Sequence, residues 1–460
     1  MNKTFQSVKN RVVDLGRRAA GQNLNIGVTG LSQSGKSTFI TSLVHQLLNA
    51  NRYNNLPFFK LAEQASIVSV KICESDDLTA KQFDYEQNYR RIKQGKWPKS
   101  TVDITQLKLK IKYRTSHSVL KNIAEHSVIE LSITDYPGEW LVDITMLQQN
   151  YNQWSDYALS LLALLPQAKL QWQSSVDKWL TGECSFSELI VDYKQCIKLL
   201  TDQKLLASPG RFTLPGDLAD TPILDFVPLD SEQQSRAAER HLESLEKIIQ
   251  RYHDFKIQVV EPFFAAYFKT IDRQLILVDC IELLRQPHTY LKVLQDSYNQ
   301  IVSSLAYGNS NVLTRLFAPK IDKLMMVATK SDQLPTDQQS RLLHFARSLF
   351  YPLENKVAFE ESKVSYLPVA SVRATESVVA DIEGKHTHCI RGVLQDSEGS
   401  CVLFPGIFPE TVEQLEQTQQ VDDSEQFDLP LYRVPSFQDD QLPHIRLGKI
   451  LEFLIGDKVL

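Results

Sequence analysis

Residues 30–37 read Gly-Leu-Ser-Gln-Ser-Gly-Lys-Ser, the spacing G-x-x-x-x-G-K-[ST], and they stand between two differently patterned segments. Before them, 25–29 is a short run suited to a strand; after them, Ile40, Leu43, Val44, Leu47 and Leu48 recur at helical spacing. A glycine-rich turn between strand and helix lets backbone N–H groups curl around an anion, with the positive end of the helix dipole behind them. A strand that leads through such a loop into a helix needs a sheet to pack on, which restricts the chain to the α/β class. In this pattern Gly30, Ser32, Gln33, Ser34, Gly35 and Thr38 are candidates to surround phosphate. Lys36 is placed to neutralise β and γ oxygens, and the Ser37 hydroxyl to ligate Mg²⁺.

Further apolar segments at 128–134, 274–279, 324–329 and 366–370 alternate with helical patterns, so a mainly parallel sheet flanked by helices is expected. At 107–114 apolar residues alternate with Lys108, Lys110, Lys112 and Arg114, a half-exposed strand. The lysine row suits contact with an acidic partner or protection of a sheet edge, and edge protection is the favoured reading. Between 140 and 272 lie helical patterns such as 185–200 and 232–252, interrupted by a Pro/Gly-rich stretch at 208–222. After Ala374 the chain is turn-rich, with a polar run at 413–426 and a last helix at 446–454. The expected organisation is a basic amphipathic helix at 1–24, the first part of a nucleotide domain at 25–140 and a helical insertion at 141–271. The second part follows at 272–382, and an accessory segment packing on it at 383–460.

At 460 residues the chain is too long for one ordinary core. A net charge of -5 offers no general attraction to nucleic acid, and none is expected as a partner. Six scattered cysteines suit free thiols in a reducing compartment. No apolar run approaches the roughly 20 residues that cross a bilayer, and the first residues lack a signal-type core, so a cytoplasmic protein is expected. Phe5, Val8, Val12 and Leu15, with Lys9, Arg11, Arg17 and Arg18 around them, form a helix that could touch the inner membrane peripherally; packing on the main domain is favoured. His386 and His388 would share one strand face with Cys389 pointing away, which leaves no closed zinc set.

Four further segments carry chemistry. Asp135-Tyr-Pro-Gly138 closes the segment 128–134: Asp135 is a candidate to hold Mg²⁺ through water, and the Gly138 N–H to meet a γ-phosphate. Glu139 then stands where many such proteins carry a water-orienting glutamine, and a carboxylate there needs Mg²⁺ or a basic group to offset its repulsion. Thr329-Lys330-Ser-Asp332 matches [NT]-K-x-D: a carboxylate at Asp332 accepts from guanine N1–H and the exocyclic amine, which adenine cannot supply, and the Lys330 stem lies along the base. Ser371 and Val372 could offer backbone N–H groups to guanine O6. Thr101 is the candidate whose hydroxyl reaches Mg²⁺ only while a γ-phosphate is present. Lys36, Thr101 and Glu139 are thus the catalytic candidates, and Ser37, Thr101 and Asp135 the metal-holding ones. Arg90 and Arg91, in the same segment as Thr101, read as solvated helix charges rather than an internal arginine finger.

On these motifs, with Trp97-Pro98, Asp272-Arg-Gln274, Phe404-Pro-Gly406 and His444-Ile-Arg-Leu, the chain resembles the YcjX-like P-loop GTPases, bacterial stress-associated proteins. The resemblance implies a Ras-like domain with a helical insertion, GTP hydrolysis with Mg²⁺, and a role in stress or envelope maintenance beside a companion membrane protein. It does not name the protein effector, and Glu139 points to slow intrinsic turnover. Two alternatives stay open: a GTP/GDP-binding interaction module with negligible turnover, recruiting a partner through its helical domain, and an ATP-dependent enzyme that uses the phosphate loop alone.

Overall fold

The computed structural model describes residues 22–30, 33–74, 81–100, 103–115, 125–203, 205, 208–267, 270–284, 291, 295–296, 321–357, 363–421 and 430–459. The amphipathic helix expected at 1–24 falls almost wholly outside them, as do Ser32 and Thr101. Strand β1 (Gln22–Gly30) lies at the centre of a seven-stranded sheet with β2 (Ile67–Cys73), β3 (Thr105–Arg114), β4 (His126–Asp135), β5 (Arg273–Val278), β6 (Lys323–Ala328) and β7 (Lys363–Pro368). The order is β2-β3-β4-β1-β5-β6-β7. Pairs from β4 across to β7 are parallel, while β2–β3 and β3–β4 are antiparallel.

Every residue of β5 and all but the first of β6 are buried, because both faces of the sheet are covered. On one face Leu24, Ile26 and Val28 of β1 join Leu275, Leu277, Met325 and Val327 in a core with Phe39, Ile40, Leu43 and Leu47 of α1 (Lys36–Leu48). The alternate residues Ile276, Val278, Leu324 and Met326 face the other way, into a core continuous with that of the helical region.

Two strand expectations need correction. The lysines of β3 do not guard an edge, because β2 lies outside them; Lys108 and Lys110 instead reach Glu130 of β4 at 3.0 and 2.6 Å. The reason is a cross-strand charge match on the half-open face. The stretch after Ala374 is not merely turns: β8 (Thr375–Ile382), β9 (Lys385–Val393) and β10 (Ser400–Leu403) form a small antiparallel sheet, and part of the polar run is helix, Val412–Val421.

Helix α2 (Tyr85–Lys93) packs beside α1, and Tyr85 Oη meets His45 Nδ1 at 3.0 Å. The helical region follows β4. Its helices α3 (Tyr151–Leu162), α4 (Pro166–Thr181), α5 (Phe186–Asp202), α6 (Ser231–Arg240) and α7 (Leu242–Phe255) enclose Trp154, Trp172 and Trp179, all almost fully buried. Capping boxes start α3, α5 and α6 at Asn150/Gln153, Ser185/Glu188 and Asp230/Gln233. The helix expected at 232–252 is two, broken at His241, whose backbone leaves the helical region. The last helix, α8 (Leu447–Val459), returns to the face that α1 covers. Among the described residues no helix is long and apolar enough to cross a membrane.

Candidate functional site

In parallel sheets ligands gather at the carboxyl ends of the strands, where the chain reverses its order of laying them down. Here that point is the end of β1, flanked by β4 and β5. Gly30 closes the strand against β5: a side chain there would collide with the Leu277 carbonyl and Ser34 Oγ. Gln33 and Gly35 take positive φ values of 67° and 87°, which wind the loop into the first turn of α1. Lys36 is buried, and its ammonium group donates to the Gly30 carbonyl across the loop.

A cleft of about 340 Å³ opens at this point. Gln33, Ser34, Gly35, Lys36, Ser37 and Thr38 form one part of its wall, and Thr329, Lys330, Asp332, Ser371 and Val372 another. The two groups are tied together, since Ser42 Oγ of α1 donates to the Ser371 carbonyl at 2.5 Å. Ser34 Oγ is buried with no hydrogen-bond partner among the described residues, a donor that phosphate oxygen would satisfy.

Asp332 is buried at the mouth of a loop after β6, and its Oδ2 accepts from the backbone N–H groups of Ala374 (2.7 Å) and Thr375 (3.2 Å). Burial pushes its carboxyl up to about 6; those N–H groups pull in the other direction and are outweighed. Lys330 adopts a left-handed backbone conformation (φ 57°), and its ammonium pairs with Asp279, the residue after β5. Asp279 also caps the short helix Cys280–Leu283 through Glu282 N at 3.0 Å. Asp279 did not stand out in the sequence as a partner; its signal was an acidic residue directly after the apolar run Leu275–Val278 of a buried parallel strand.

Asp135, Gly138 and Glu139 are not on the wall of this cleft. Asp135 ends β4 opposite Val28, buried beside the start of the phosphate loop, and the next carbonyl, of Tyr136, accepts from Thr29 Oγ1 at 3.4 Å. Gly138 begins the 3₁₀ segment Gly138–Gln148, in which Glu139 is buried. The Ser37 hydroxyl donates to the Lys99 carbonyl at 2.9 Å, so the chain just before Thr101 folds over the phosphate loop. Arg91 anchors that chain, donating from Nε to the Trp97 carbonyl at 3.0 Å, a structural tie for a half-buried side chain, while Arg90 is exposed. The roof has members the sequence did not suggest: Trp97, Pro98, Lys99 and Ser100 on one side, Gln395, Leu431 and Tyr432 on the other.

A phosphate loop at the end of the central strand, a Thr-Lys-Ser-Asp segment two strands away and helices on both faces define a Ras-like P-loop domain carrying a helical insertion. The chain belongs to the YcjX-like family, DUF463, whose model matches residues 24–459. It is 30% identical to the Ras-like GTPase YcjX of Escherichia coli (strain K12) over 471 residues, covering 99% of this chain and 100% of that one. It is likewise 30% identical to the Ras-like GTPase YcjX of Shewanella oneidensis over 487 residues, covering 100% and 99%.

Proposed function

We propose that the chain binds guanine nucleotide in this cleft and hydrolyses GTP to GDP and phosphate with Mg²⁺, acting as a nucleotide-dependent switch. One observation carries the reading: Lys36 and Asp332, from motifs far apart in the chain, line the same cavity. Lys36 and the loop N–H groups hold phosphate oxygens, and Asp332 accepts from the guanine edge. The Ser37 hydroxyl, the Asp135 carboxylate and the Thr101 hydroxyl, the last outside the described residues, are oxygen donors of the kind a hard cation takes and would hold Mg²⁺. Bound there, Mg²⁺ supplies charge neutralisation on the β and γ oxygens. In the reaction a water oxygen bonds to the γ-phosphorus, the bond to the β,γ-bridging oxygen breaks, and its electron pair leaves with GDP. The water's protons end on the phosphate product and solvent. Gly138 N–H and Glu139 belong to the turn that would face the γ-phosphate.

The two relatives, both Ras-like GTPases by name, support the same reading. A stress or envelope setting beside a companion membrane protein has the family resemblance as its support; a cytoplasmic site with peripheral membrane contact rests on the hydropathy of the sequence and the basic amphipathic pattern at 1–24. One observation favours the reading as a binding module without turnover: the buried carboxylate of Glu139 where a neutral glutamine would orient water. Calorimetry tests the first claim. GDP should bind at least about 100-fold more tightly than ADP, and Lys36→Ala should lose most of that affinity; equal affinity for GDP and ADP, or an unaltered Lys36→Ala, sinks it. Phosphate release separates turnover from binding, since a switch releases phosphate from GTP faster than its Lys36→Ala variant does.

A further inference from the structure

The loop between α5 and α6 grips the turn that follows Asp135. A side chain at Gly210 would collide with the Glu139 carbonyl, so the two backbones touch and glycine is the residue that permits it. Gly210 N donates to Asp143 Oδ1 at 2.7 Å, and Trp140 Nε1 donates to the Leu214 carbonyl at 2.9 Å. The Arg211 guanidinium carbon lies 3.3 Å from the Trp140 ring centroid, a close cation–π stack. The 3₁₀ segment is held at its far end too: Tyr252 Oη and Lys256 Nζ donate to the Gln149 carbonyl at 2.9 and 2.6 Å. Lys256 opens a π-helical turn, Lys256–Val260, an irregularity that often accompanies function.

Arg211 is an expensive choice for covering a tryptophan. Its side chain is 9% exposed, whereas its ion-pair partner Asp217 is 78% exposed at 3.1 Å, so the pair returns little for the desolvated charge. An apolar side chain of the same length would cover Trp140 without that penalty. What the guanidinium adds is direction: it fixes the ring face, bonds the Pro215 carbonyl at 3.2 Å and sits within electrostatic reach of the buried Asp143, which lies one turn beyond Glu139.

Resting on the hydrolysis reading above, we propose that Arg211, supplied by the helical insertion, is a positioning residue for GTP hydrolysis: through Trp140 it holds the Gly138–Glu139 turn for the attacking water. It need not touch the nucleotide. The cost of losing it falls on the chemical step, because reacting groups displaced by about 1 Å lose up to about 100-fold in rate, while ground-state affinity, set in the cleft, is spared.

The test uses the full chain with Mg²⁺, single-turnover GTP hydrolysis and GDP affinity measured side by side. Arg211→Met keeps the length and covers Trp140 without charge; Arg211→Lys restores a cation on the ring. The expected result is a single-turnover rate lower by about 10- to 100-fold in Arg211→Met, a GDP Kd within about twofold of the parent, and recovery of most of the rate in Arg211→Lys. Arg211→Met at the parent rate overturns the proposal, as does a loss of GDP affinity equal to the loss of rate, which would mark a purely structural role. A parent protein no faster than Lys36→Ala overturns the hydrolysis reading itself, and the proposal with it; a GDP Kd that stays tight and guanine-selective identifies that outcome as the binding module.

Discussion

At the scale of single residues, the consequence that follows most directly is set by Asp332. Its burial serves selectivity, because a desolvated carboxylate left without the guanine N1–H and amine is costly, and that cost is what rejects adenine. The same burial raises its carboxyl to about 6, within reach of ordinary buffers. Only the ionised form accepts both guanine donors, so affinity should be flat above pH 7 and decline as the pH falls through 6. We expect the GDP Kd to rise about tenfold between pH 8 and pH 5, one pH unit below that value. Asp332→Asn should abolish this slope and shift preference toward xanthine nucleotides; a Kd in the parent that ignores pH over this range, measured by calorimetry, refutes the assignment. Residues of the phosphate loop and of Thr-Lys-Ser-Asp were legible in the sequence because each is a local spacing with its own chemistry. Asp279 and the Ala374 and Thr375 N–H groups were not: they reach Lys330 and Asp332 from other strands and loops, with no local pattern to mark them.

Among elements, the parallel strands were legible to within a few residues: burial on both faces leaves β5 and β6 nearly continuous apolar runs, and β4 alternates buried and half-buried residues. The small sheet β8–β10 was hidden because most of its residues are exposed on both faces, so polar and apolar residues mix without a buried stripe. That sheet lies close to the site: Gln395 follows β9, and Leu431 and Tyr432 complete the roof. Trp97 Nε1 donates to the Tyr432 carbonyl at 3.0 Å, which joins the two halves of the roof. The acceptor is backbone, so only the tryptophan can be varied cleanly. A partly buried hydrogen bond is worth about 1 kcal/mol, so Trp97→Phe should speed GDP dissociation about fivefold with little change in the association rate. Stopped-flow displacement of a fluorescent GDP analogue reads this directly, and an unchanged dissociation rate would show that the roof opens elsewhere.

For the whole molecule, the question is what binds the end of the chain to its centre. The last helix was legible from its spacing, though it runs on to Val459. Its anchor was not, because Arg273 opens β5 and its partner Asp457 lies far along the chain. Arg273 is fully buried; its guanidinium bonds both Asp457 oxygens at 2.7 Å, and Asp322 at 3.2 and 3.3 Å, while Lys323 reaches Asp457 at 2.7 Å. Partial burial pushes the Asp457 carboxyl up, but the hydrogen bonds from Arg273 and Lys323 outweigh it and hold it well below the usual range. Removing the carboxylate leaves a buried cation with the more exposed Asp322 as its remaining carboxylate beside the Leu454 carbonyl, so Asp457→Ala should lower stability by about 3 kcal/mol near pH 7.5 in urea denaturation. The sign with pH follows from the same shift. On acidification the unfolded chain takes up the Asp457 proton first, so this stabilisation is complete above about pH 4 and drains as the pH falls toward the lower folded value. The gap between parent and variant should therefore narrow below pH 4; a gap that is absent at pH 7.5, or that widens in acid, would mean that the helix is held by its apolar face on the α1 side of the sheet and not by this network.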